Sequence, residues 1–178
     1  MSDADLSNAD SNKLDLINLG LTSLDLTSFD LTDLDSSGEK LGNDQFSWPI
    51  RVYYEDTDSG GVVYHANYLN FMERARTEWL RALGFEQTGL KTELGILFVV
   101  HSMTIAFKSP ALFNDLLEIK SQRIKLGHGS MQFLQTIMRN KQVLLEAIVK
   151  LACVDATSFK PVAIPEIIKQ TMLQNTKI

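Results

Sequence analysis

Apolar positions follow three different rhythms along the chain. In the first 45 residues Leu14, Leu19, Leu24, Phe29 and Leu34 recur every five positions, and Leu16, Leu21, Leu26 and Leu31 keep the same interval. That period fits neither a helix nor a strand, whose repeats are about 3.6 and 2. Over residues 46–54 aromatic and β-branched side chains crowd together, which predicts a strand, and Pro49 argues for a sheet edge or for the early part of the strand. Over residues 67–83 the spacing becomes helical. Tyr68, Met72, Ala75, Trp79 and Ala82 recur at intervals of four and three and form one core-facing stripe. Glu73, Arg74, Glu78 and Arg81 fall on other faces, and Gly84 is a natural helix stop. Beyond it the period drops to two. Residues 96–108, 115–126, 131–139 and 143–155 read as four strands, with Val99, His101, Met103, Ile105 and Phe107 sharing one face of the first. Gly127-His128-Gly129 and Asn140-Lys141 are short enough to be hairpin turns. One strand, a long helix and four strands in succession predict an α+β domain, an antiparallel sheet wrapped around the helix.

Charge divides the chain at the same place as the rhythm. Residues 1–45 carry ten acids and two bases, and residues 46–178 carry twelve acids and fifteen bases. The first segment is therefore strongly acidic and the second mildly basic. The expectation is a disordered acidic tail over residues 1–45 and a folded domain over 46–178. A short coil of pentapeptide-like repeats, or a segment that folds on a partner, are the alternatives for the tail. Solenoids need several stacked units to bury a core, and this run is short for one. The weak basicity of the domain suits a small polyanionic ligand and is far too slight to indicate nucleic acid. The single cysteine, Cys153, excludes an intrachain disulfide, which fits a reducing compartment. No basic-then-apolar leader opens the chain, and no run approaches the roughly 18 apolar residues of a membrane span. A cytoplasmic protein is expected.

The stretch that carries chemistry is Tyr53-Tyr54-Glu55-Asp56-Thr57-Asp58-Ser59-Gly60-Gly61-Val62-Val63-Tyr64-His65-Ala66-Asn67-Tyr68. It places three carboxylates, a histidine and two adjacent glycines between a strand and a helix. Asp58 stands just before Gly60-Gly61, where the backbone can turn sharply and admit a ligand. The helix that follows has free N–H groups and a positive dipole end at its start. One loop thus offers an acid–base or nucleophilic group and a place for a developing oxyanion. Taken alone, Asp58 could do no more than cap a turn, as Asp often does.

This run, continued by Glu73-Arg74-Ala75-Arg76-Thr77-Glu78, resembles the YbgC-type acyl-CoA thioesterases, of the 4-hydroxybenzoyl-CoA thioesterase group in the hotdog superfamily. The likeness extends through Phe98-Val99-Val100, Ser109-Pro110-Ala111, Leu117-Glu118-Ile119 and Cys153-Val154-Asp155, about residues 46–165 in all. It leaves the acidic segment outside. The resemblance implies the hotdog fold and hydrolysis of acyl-CoA thioesters without a cofactor. It implies Asp58 as the catalytic carboxylate, attacking the thioester carbonyl or activating water. It places the oxyanion donor at the backbone N–H at or near His65. It also implies a dimer or tetramer with the acyl slot between subunits, and an association with the Tol-Pal envelope system.

Other residues keep two readings. The His65 side chain is a second catalytic candidate or a helix-start residue that lends only its backbone. Tyr64 packs or lines the acyl pocket, and Gly61 gives the substrate room. Arg123 and Lys125, on one strand face by parity, are candidates for the coenzyme A phosphates or merely a solvated face. Glu55 and Asp56 are structural or electrostatic, and Glu73 suits an ion pair. His101 is expected in the core and His128 in an exposed turn. No Gly-x-Ser-x-Gly elbow, His or Cys pair at metal-ligand spacing, or Gly-rich phosphate loop is present. Two rivals stay open. One is a hotdog dehydratase or hydratase. The other is a hotdog protein that binds an acyl carrier protein or an envelope-assembly partner.

Overall fold

The computed structural model describes residues 45–174. The expectations for the acidic segment before Gln45 lie outside the described residues. Five strands form one antiparallel sheet: β1 (Gln45–Arg51), β2 (Ile96–Phe107), β3 (Leu116–Leu126), β4 (Ser130–Arg139) and β5 (Gln142–Asp155). Their spatial order is β1-β3-β4-β5-β2. β3, β4 and β5 are hairpin neighbours, while β1 and β2 occupy the two edges. The chain between those edges must therefore cross the face of the sheet, and it does so as α1 (Asn67–Ala82). This is the α+β hotdog arrangement, a five-stranded sheet wrapped around a long central helix.

The helix buries Tyr68, Phe71, Met72, Ala75, Trp79 and Leu80, and Trp79 meets Phe133 of β4 edge-on at 5.1 Å between ring centroids. From the sheet, Leu117, Ile119, Met131, Ile137, Leu145, Val149 and Cys153 close the same core. Each large apolar side chain so buried contributes about 1.5–3 kcal/mol. The expected stripe needs one change: Ala82 is exposed and Leu83 is buried. The helix ends there because Gly84 adopts φ +88°. Its N–H donates to Arg81 O at 2.8 Å and the Phe85 N–H to Leu80 O at 2.9 Å, a paired C-terminal closure.

The strand expected over 46–54 stops at Arg51, and Tyr54–Asp56 forms a 3-10 turn instead. Pro49 does lie in an edge strand. The Asn140-Lys141 turn joins β4 to β5 with φ of 49° and 71°, as a tight two-residue hairpin turn requires. Two short helices were not anticipated, α2 (Gln87–Glu93) and α3 (Glu166–Gln174), the latter burying Ile168 and Met172.

Two bulges overturn expectations of parity. In β2, Val100 pairs with Leu151 and Ser102 with Lys150, so His101 is the extra residue. Val99 then faces away from Met103, Ile105 and Phe107, and His101 is exposed rather than a core histidine. In β3, Arg123 pairs with Phe133 and Lys125 with Gln132, so Ile124 is extra. Arg123 and Lys125 consequently lie on opposite faces. A single inserted residue reverses every later side chain.

Candidate active site

Asp56 knots the loop between β1 and α1. It is buried, and its carboxylate accepts the Tyr53 N–H at 2.8 Å. Its carbonyl accepts the Tyr64 N–H at 2.9 Å and Asn67 Nδ2 at 3.0 Å. One peptide group thereby ties the entry of the loop to its exit. Of the three loop acids, this one is structural, and it is sheltered rather than solvated. Glu55 beside it is exposed.

Asp58 heads a small hairpin. Thr57 and Val63 form an antiparallel bridge, the Asp58 N–H donates to Val62 O at 2.9 Å, and the Gly61 N–H to Asp58 O at 3.0 Å. Gly61 has φ +73°, a conformation that a side chain makes unfavourable. A Cβ on Gly60 would sit 3.0 Å from Asp58 Oδ1. The two glycines are thus the residues that let the chain close around this carboxylate. Asp58 Oδ1 accepts the Gly60 N–H at 2.8 Å. Among the described residues Oδ2 has no donor, and the side chain is exposed.

The hairpin runs straight into α1. The Asn67 N–H donates to Tyr64 O at 2.9 Å, which makes His65 and Ala66 the inner residues of a turn. Among the described residues neither of their N–H groups has an acceptor. These are unpaired donors at the positive end of a helix. The His65 side chain is exposed, and its ring lies 4.3 Å from that of Tyr64, which is itself partly open to solvent. Asp58, Gly61, Tyr64 and His65 therefore share one short structural unit.

Arg123 and Lys125 do not join that unit within one chain. β3 begins beside Arg51, next to the loop, and Lys125 lies nine residues further on, about 30 Å along the strand. Arg123 is buried and donates to Met172 O at 3.3 Å near the end of α3. Glu73 is exposed and accepts Thr77 Oγ1 at 2.7 Å, and His128 is exposed in the turn between β3 and β4.

Sequence reading overlooked the segment between β2 and β3. Ala111 O accepts the Val63 N–H at 2.9 Å, and Leu112 bridges Val62. Ser109-Pro110-Ala111 was visible only as part of a resemblance. Nothing local shows that it flanks the Asp58 hairpin, about fifty residues earlier in the chain.

A family model described as the thioesterase-like superfamily matches residues 52–172. The acyl-CoA thioesterase YbgC of Haemophilus influenzae is 49% identical over 124 residues, 70% of this chain and 91% of that protein. The acyl-CoA thioester hydrolase YbgC of Escherichia coli O6:H1 is 48% identical over 122 residues, 68% of this chain and 90% of that protein. Among solved structures, a probable thioesterase from Bartonella henselae superposes with a TM-score of 0.66 at 38% identity, covering 68% of this chain and 99% of that one. The chain belongs to the thioesterase-like superfamily and, within it, to the hotdog-fold YbgC acyl-CoA thioesterases. Among the described residues no helix is long and apolar enough to cross a membrane.

Proposed function

We propose that this protein hydrolyses acyl-CoA thioesters to the free acid and coenzyme A, with Asp58 as the working carboxylate. The observation that carries this reading is the pairing of an exposed Asp58 with the acceptor-free N–H groups of His65 and Ala66 on one hairpin-to-helix unit. The thioester oxygen gains negative charge as the carbonyl is attacked, and N–H donors at a helix start stabilise that charge without rearranging. Asp58 either adds to the carbonyl carbon and expels the thiolate, leaving an anhydride for water to open, or takes a proton from the water that attacks. The glycine-rich turn gives the acyl group room to reach it. His65 contributes its backbone; its exposed ring is a secondary candidate for proton transfer.

In this reading the acyl slot lies between two copies of the chain. β2 is a twelve-residue edge strand, and it exposes Val100 and Phe107. An edge of that length is ordinarily covered. A second copy of the chain covers it in this reading, in a dimer or larger homo-oligomer, and supplies the basic groups for the coenzyme A phosphates. Lys125 is the candidate that remains exposed for that task, since Arg123 is turned toward α3.

The test is release of free thiol from short-chain, long-chain and aromatic acyl-CoAs by the native protein and by Asp58→Asn. The native protein is expected to turn over part of the panel, and the variant to lose about 10²–10⁴-fold in kcat while remaining folded. A folded Asp58→Asn protein with native turnover would falsify the assignment of Asp58. No turnover by either protein would favour the reading as a binding protein for an acyl carrier protein.

A further inference from the structure

The catalytic reading requires Asp58 and the helix-start donors to keep a fixed spacing. The hairpin reaches α1 through only Val62, Val63 and Tyr64 before His65, so whatever holds that segment from the side sets how Asp58 and the donors face each other. Asp56 holds one side. The other is held by Ala111, which is completely buried. Its carbonyl accepts the Val63 N–H at 2.9 Å, and its own N–H donates to the Tyr68 hydroxyl at 2.9 Å. Val63 lies two residues before His65, and Tyr68 is the second residue of α1. One residue of a distant segment is therefore bonded to the backbone before the donors and to a side chain just after them.

Tyr68 is built for this bond. Its ring is packed edge-on against Phe71 at 6.1 Å and Phe107 at 5.7 Å, and the residue is 3% exposed. A phenylalanine could make both ring contacts. The hydroxyl is what it would lack, and the hydroxyl meets the Ala111 N–H. Burial pushes the phenol pKa upward, the Ala111 N–H opposes that shift, and Arg139 lowers the pKa while Asp115 raises it. The hydroxyl thus stays neutral under ordinary conditions. The segment carrying Ala111 is itself anchored: Asp115 Oδ2 accepts the Leu112 N–H at 2.8 Å and pairs with Arg139 at 2.6 Å.

We infer that Tyr68 is a positioning residue for the hydrolysis, its hydroxyl holding Ala111 and, through it, the strand that sets Asp58 against the His65 and Ala66 N–H groups. The inference rests on the reading of Asp58 given above. A displacement of about 1 Å between reacting groups can lower turnover about 100-fold with little change in substrate affinity. A merely structural tyrosine would instead lower the melting temperature and leave kcat of the folded protein alone.

Tyr68→Phe and Asp58→Asn are compared with the native chain on the acyl-CoA that turns over fastest, well below the melting temperature of each. The expected result for Tyr68→Phe is a fall of about 10–100-fold in kcat with KM within about twofold. Native kcat in Tyr68→Phe overturns the inference, as does a change confined to KM, which would mean that the hydroxyl meets the substrate. Should Tyr68→Phe not fold, Asp115→Ala loosens the same segment at its other anchor and is expected to lower kcat with KM held. Native kcat in that variant also overturns the inference. Native activity in Asp58→Asn is a separate failure, that of the catalytic reading. Loss in Asp58→Asn with no loss in Tyr68→Phe isolates the failure to the positioning role.

Discussion

Single carboxylates in this domain do different work because their donors differ. Asp58 has one N–H on one oxygen and solvent on the rest, which leaves it available for chemistry. Asp155 has the opposite condition. Its Oδ1 accepts the Ser158 N–H at 2.7 Å, the Ser158 hydroxyl at 2.8 Å and the Thr157 N–H at 3.2 Å. Those bonds, led by the Ser158 N–H, hold its carboxyl below the ordinary 3.8. A carboxyl with a lower pKa folded than unfolded stabilises the fold fully above the unfolded value, and the stabilisation is lost as pH falls through the folded one. Asp155→Asn is therefore expected to melt below the native protein at neutral pH, with the gap closing as the pH falls from about 5 through the acid range. Thermal melts across that range check it, and a gap independent of pH would remove the charge from the explanation. Arg76 is a contrasting case, a buried cation. It is buried on α1 and its pKa is lowered to about 10, mainly by burial, so it remains charged at neutral pH. Its guanidinium donates to Gln135 Oε1 at 2.6 Å, and Gln135 Nε2 donates to Met72 O and to Ser121 Oγ. The polar chain is satisfied by pairing inside the core, as buried polar groups must be.

Elements were legible where a local signal ends or repeats. The α1 stripe was read correctly at Tyr68, Met72, Ala75 and Trp79, because the helical period acts within one turn. Gly84 was legible as a stop for the same reason, since only a glycine takes φ +88° without strain. No atom lies within 4 Å of where its Cβ would go, so Gly84→Ala introduces backbone strain alone. The expected loss is about 1–2 kcal/mol, visible as a fall of several degrees in Tm. An unchanged Tm would show that the closure does not hold the helix end. Strand faces were less legible. Nothing in the local sequence marks His101 or Ile124 as an extra residue. A bulge is decided by the partner strand, here β5 and β4, whose pairings resume one residue out of step. The misassigned faces of Val99, Lys125 and His101 all follow from those two insertions.

At the scale of the whole molecule, every residue assigned to the proposed chemistry lies after residue 40. Removing residues 1–40 is expected to leave thiol release within about twofold of the full chain. A collapse of activity on truncation would assign the acidic segment a part in catalysis or assembly. The sequence by itself determined the class of fold, the long helix and the loop that holds Asp58, and offered a sheet edge as one of two places for Pro49. Each of these is expressed within a few neighbouring residues, as a period, a proline or a glycine pair. Only the tertiary structure decided that Ala111 bonds both Val63 and Tyr68, that Asp115 meets Arg139, and that Arg123 turns inward toward Met172. Those contacts join residues far apart in the chain. They depend on strand order and on register, which are settled when the sheet closes over the helix and all its faces are buried together.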